Sequence, residues 1–99
     1  MANTEVMAVT DLQVRIMELE KDASTAWHHH TTVDDFFVCL TGCIQVESPD
    51  PKQAIVLNPG ERAEIKSPQV HRVVNLHPGL SEYLLVQGIG SYDFIKDRV

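Results

Sequence analysis

The sequence lacks any apolar run approaching the roughly 18 residues that a membrane helix needs; charged or polar residues interrupt every such stretch. It is poor in cysteine. Cys39 and Cys43 are the only two, too few for a disulfide scaffold and not spaced as a Cys-x-x-Cys pair. Two free thiols in a reducing compartment are expected. Basic residues are scarce: 8 Lys and Arg face 14 Asp and Glu, for a net charge of −6. Such a surface repels phosphate backbones, so no nucleic-acid partner is expected. Met1 to Thr10 has neither a basic patch nor a long apolar core, so the segment does not read as a signal peptide. The expected location is the cytoplasm, with no membrane partner. Helical stripes are missing as well.

Strand patterns are abundant. Asp35 to Thr41 reads D-F-F-V-C-L-T, and Cys43 to Glu47 alternates as C-I-Q-V-E. Gly42 between them reads as the turn of a hairpin. Ser48 to Lys52 contains two prolines and an aspartate and reads as a loop. Gln53 to Leu57 is a short apolar run. Asn58-Pro59-Gly60-Glu61 has Pro and Gly where a type II turn wants them. Arg62 to Lys66, Val70 to Leu76 and Tyr83 to Gln87 complete the series, and Leu12 to Leu19 precedes it as a further strand. Strands recurring about every ten residues predict an all-β sandwich or barrel. With 99 residues there is room for one domain, a barrel core over about 12–90.

The segment Trp27-His28-His29-His30 carries the chemistry. Side chains alternate along a strand, so His28 and His30 share a face and His29 points away. Asp35 opens the next strand, and its carboxylate could return to the same point. His71 lies on a later strand with Asn75 four residues on. Three imidazoles and one carboxylate would leave coordination positions open, as catalytic metal sites do. Such a donor set suits one divalent transition metal ion, Fe, Mn, Ni, Co, Cu or Zn, without choosing among them. If Asp35 faces inward, Phe37 and Cys39 share its face, and Phe37 could line a cavity. Asn75 could brace an imidazole or a loop carbonyl.

These residues resemble the two motifs of the cupin superfamily. In the first, His-x-His is followed after three or four residues by Glu and six residues later by Gly. Here His28 and His30 are followed by Asp35 and Gly42 at that spacing. In the second, Gly precedes His by eleven positions and Asn by fifteen, as Gly60, His71 and Asn75 do here. The motif's leading glycine is replaced by Asp22, its Glu by Asp35, and its Pro-x-Gly by Lys66 and Pro68. Asp35 reaches about 1.5 Å less far than Glu, the length of one C–C bond.

The resemblance implies a small single-domain, RmlC-like jelly roll, or double-stranded β-helix, binding a metal through His28, His30, Asp35 and His71. It implies a small-molecule ligand and an activity of dioxygenase, isomerase or lyase type. A non-catalytic binding or sensor barrel, possibly metal-free, is the alternative. Small cupins are commonly homodimers, and Leu12 to Leu19 is the strand expected to join the partner's sheet. The segment around Tyr92, Asp93 and Phe94 is expected to fold over the barrel or over that partner.

Overall fold

A computed structural model describes residues 2–99. Ten strands follow one another: β1 (Ala2–Val9), β2 (Leu12–Leu19), β3 (His28–His29), β4 (Asp34–Thr41), β5 (Ile44–Pro49), β6 (Lys52–Leu57), β7 (Arg62–Ile65), β8 (Arg72–Asn75), β9 (Ser81–Gly88) and β10 (Ile95–Lys96). One layer is a five-stranded sheet in the order β1-β2-β9-β4-β7. The other joins β6-β5-β8 to β3-β10 through bridges from Ser24 to Val74 and from His28 to His71. All pairings are antiparallel.

Alternation decides which residues enter the space between the layers. On β9, Ser81, Tyr83, Leu85 and Gln87 are buried and their neighbours are not. On β4, Asp35, Phe37 and Cys39 point inward, the phase the sequence predicts. Phe37, Leu19, Ile44 and Tyr83 are almost wholly buried and anchor the core. Full burial of each such side chain contributes about 1.5–3 kcal/mol. The apolar cluster and the histidines thus share the space between the layers.

Gly42 is not the turn of a hairpin. β4 pairs with β7 and β9, whereas β5 pairs with β6 and β8, so Gly42 carries the chain from one layer to the other. Its φ is +78°, and a Cβ there would stand 2.1 Å from Ser81 Oγ. Glycine is required on both counts. The expected turn after β6 does form: Glu61 N–H donates to Asn58 C=O at 2.9 Å, and Gly60 has φ +88°.

Leu12–Leu19 is likewise not an edge strand. β2 is paired on both sides, to β9 and to β1. The free edge belongs to β1, whose residues are all exposed. The sequence shows no strong pattern over β1 because neither of its faces is buried.

Candidate metal centre

His28 leaves β3 facing the interior, and its backbone is tied to His71 by two hydrogen bonds, of 3.0 and 2.9 Å. His30 follows two residues later on the same face. Asp35 enters from β4 and is 1% exposed. One donor atom from each of His28, His30, Asp35 and His71 lies within 4.8 Å of the other three. All four side chains are buried. Ligands on opposite sides of an ion bound at about 2.1 Å stand about 4.2 Å apart, so the cluster needs little adjustment to share one atom.

The ring orientations follow from the backbone. Nδ1 of His28 meets the Ala26 carbonyl at 2.7 Å, Nδ1 of His71 meets the Gln69 carbonyl at 2.9 Å, and Nδ1 of His30 meets the Asp93 carbonyl. A carbonyl oxygen only accepts, so each Nδ1 carries a proton and donates it. Each Nε2 is then the ring atom left for an ion. His30 Nε2 lies 3.1 Å and His71 Nε2 2.7 Å from Asp35 Oδ2. Lone pairs facing a carboxylate repel unless a cation sits among them. The donor set therefore fits a metal ion, and this cluster could hold one.

Without a metal, a proton does the same work. Burial disfavours a charged His30, yet the hydrogen bond and charge of Asp35 outweigh it and raise the imidazole above its usual value. Burial likewise opposes ionisation of Asp35, but the hydrogen bonds from His30 and His71 hold its carboxyl far below the ordinary range. His28 goes the other way: burial pushes it down to about 4 despite the Ala26 carbonyl. It is neutral at physiological pH, the form that binds metal.

A cavity of about 320 Å³ opens beside the cluster. Met17, Phe37, Val73 and Leu85 form its apolar wall, and Tyr92 and Phe94 its roof. The Phe94 ring stacks on His28 with centroids 4.3 Å apart and planes at 18°. The C-terminal segment thus folds back over its own barrel. It is held there by β10 pairing with β3 and by Asp93, whose carboxylate accepts from the Thr31 N–H at 2.8 Å.

Phe37 lines the cavity and meets the His71 ring edge-on at 6.0 Å. Asn75 takes the loop-carbonyl option: its amide donates to Leu19, Glu20 and Gly79 carbonyls, and no imidazole is among its partners. His29 points away and its Nδ1 lies 2.7 Å from Asp97. Asp22, standing where the motif has glycine, keeps the left-handed backbone, with φ +62°. Aspartate tolerates that region better than most residues.

Sequence reasoning missed Gln87 and Arg15. Gln87 Nε2 donates to Asp35 Oδ1 at 2.9 Å, and its Oε1 accepts from Arg15 Nη2. A polar residue in the inward phase of β9 was the available signal.

Two antiparallel layers, with His-x-His, Asp and His meeting between them, form the double-stranded β-helix of the cupin fold. The chain superposes on a conserved double-stranded β-helix protein from Klebsiella pneumoniae with TM-score 0.84, at 20% identity, covering 98% of this chain and 84% of that one. A polyketide cyclase, RemF of Streptomyces resistomycificus, gives TM-score 0.82 at 17% identity over 98% and 70% of the two chains. A sugar phosphate isomerase of the cupin superfamily from Silicibacter pomeroyi gives 0.72 at 18% over 90% and 69%. At these identities the likeness is one of fold. No family model and no curated protein matches the sequence.

Proposed function

We propose that this cupin-fold chain is a metal-dependent enzyme acting on a small organic molecule, with His28, His30, Asp35 and His71 as the ligands of one divalent transition metal ion. One observation carries the reading: three imidazoles, each fixed through Nδ1 by a backbone carbonyl, turn toward one buried carboxylate beside a ligand-sized cavity. Four protein ligands leave room for substrate in the coordination sphere. A bound ion of this kind would polarise a substrate oxygen or, if redox-active, engage O₂. Around it, Phe37 and Leu85 would exclude water, and the Tyr92 and Phe94 roof would cover the bound molecule.

A second reading is a binding barrel without turnover. It is favoured by the cavity wall, where Arg15, Tyr83, Tyr92 and Lys96 are the only titratable side chains besides His28, His30 and Asp35. None of the four is an imidazole or carboxylate that serves readily as a base near neutral pH. Elemental analysis of the protein purified from its own host tests metal occupancy. Oxygen uptake and isomerisation assays on small acids and sugars then separate enzyme from binder. A protein carrying no transition metal would end the first reading.

The chain is further proposed to be a homodimer of the cytoplasm. The exposed β1, with Val6, Met7 and Val9 bare, supports an interface there, and the free thiols Cys39 and Cys43 support a reducing compartment.

A further inference from the structure

We infer that the molecule held beside the metal centre is a small carboxylate, and that Arg15 is the residue that binds its anionic end. The inference rests on the proposed metal site and adds the class of ligand.

Arg15 sits on β2 in the same phase as Met17 and Leu19, so its side chain enters the cavity. Its Nη2 donates to Gln87, and the guanidinium lies over the Tyr92 ring at 5.3 Å. Its Nε is shut off from solvent and has no hydrogen-bond partner, alone among buried side-chain nitrogens and oxygens of the described residues. A buried donor without an acceptor costs about 1–3 kcal/mol, more when charged. A ligand oxygen can no more reach this shut-off Nε than water can, so an anion would meet the guanidinium at its Nη atoms, of which Nη2 already donates to Gln87. Among the described residues no carboxylate forms an ion pair with Arg15. Glu5 stands opposite it in the β1–β2 register and still makes none.

The charge of the cavity points the same way. In a chain of net charge −6, the lining holds two cations, Arg15 and Lys96, and one acid, Asp35, which is committed to the histidines. A divalent ion would add to that positive field. The planar guanidinium matches a carboxylate. The apolar wall of Met17, Phe37 and Leu85 suits a short carbon chain rather than a second charged group.

The test is calorimetric titration of cobalt-loaded and metal-free protein with acetate, pyruvate, malonate and benzoate. Pyruvate methyl ester and inorganic phosphate serve as controls, and metal content is measured in every sample. Wild-type protein is expected to bind at least one of the acids and to prefer pyruvate over its ester. Arg15→Gln should weaken the bound acid about 10- to 100-fold, the loss expected for a charge-assisted hydrogen bond. Arg15→Lys should retain more of that preference than Arg15→Gln, and Glu5→Gln should not weaken it. A purely structural Arg15, acting only through Gln87, would alter metal affinity and leave discrimination between acid and ester intact. That result, no carboxylate binding by the wild type, or tighter Arg15-dependent binding of phosphate would each overturn the inference. If the protein carries no transition metal from its host and takes up no cobalt, yet binds an acid through Arg15, the metal reading fails and the carboxylate assignment stands. If cobalt binds and Arg15→Gln changes nothing, the reverse holds.

Discussion

Gln87 donates its amide N–H to Asp35 Oδ1, which leaves Oδ2 as the carboxylate atom facing His30 and His71. Arg15 can only donate, so it fixes the Gln87 oxygen toward itself and the amide nitrogen toward Asp35. One carboxylate is thereby divided between a positioning side chain and the cluster. Removing the donor should loosen Asp35 without touching a ligand. Gln87→Leu is expected to weaken metal binding about 10-fold or more, as loss of outer-shell partners does. Competition with a chelator measures this, and an unchanged affinity would show that Asp35 needs no such support.

Single replacement of His28, His30 or His71 by Ala should each strip most of the metal from the purified protein. His29→Ala should not, because His29 faces Asp97 on the other side of its strand. Comparable loss in all four variants, read by elemental analysis, would break the proposed ligand set.

The metal-free protein should lose stability in acid, and His28 should contribute. Its folded pKa, about 4, lies below the unfolded value of 6.5, so the unfolded chain takes up the proton first. The contribution is complete above pH 6.5 and disappears as pH falls through 4. Asp35 acts in the same direction at lower pH, because its folded pKa is also depressed. His30, raised by Asp35, works oppositely: what it adds is present below 6.5 and vanishes as pH climbs past its elevated value. Thermal melts from pH 4 to 7 on wild type and His28→Gln should show a shallower slope for the variant. Parallel slopes would remove His28 from the account.

Gly42→Ala should destabilise the fold by about 2–3 kcal/mol, combining a left-handed backbone with an overpacked contact. The struck atom, Ser81 Oγ, also donates to Asn75 at 2.6 Å and accepts from Cys43 N–H at 3.0 Å, so it has little freedom to retreat. A melting temperature equal to wild type would mean the loop relaxes more easily than these bonds suggest.

Light scattering at micromolar concentration should give twice the 11.1 kDa chain mass. Val6→Glu, on the exposed strand β1, should shift the species toward monomer. A wild-type protein that scatters only as a monomer would contradict the dimer.

Much of the barrel could be read from local pattern. Alternation gave β4 its inward face, and the His28, His30, Asp35 and His71 spacing marked the four side chains that meet at one place. Pairing partners were harder, because they depend on residues far away in sequence. Gly42 flanked by two alternating runs looks the same whether those runs form a hairpin or part into separate layers. β2 resembles an edge strand until β1 is seen beside it. Arg15 and Gln87 escaped notice because each is an ordinary polar residue by type. Only the phase of two paired strands, β2 and β9, turns them toward the same interior.

The roof over the site has a consequence for how the centre comes into being. His30 is oriented by the carbonyl of a residue 63 positions further along, and the ring stacked on His28 belongs to that same stretch. A nascent polypeptide still missing it would have all its imidazoles but no fixed tautomer for one of them and nothing shielding another. An ion entering this cluster would therefore meet its finished site only once the stretch through Phe94 has folded back over the barrel.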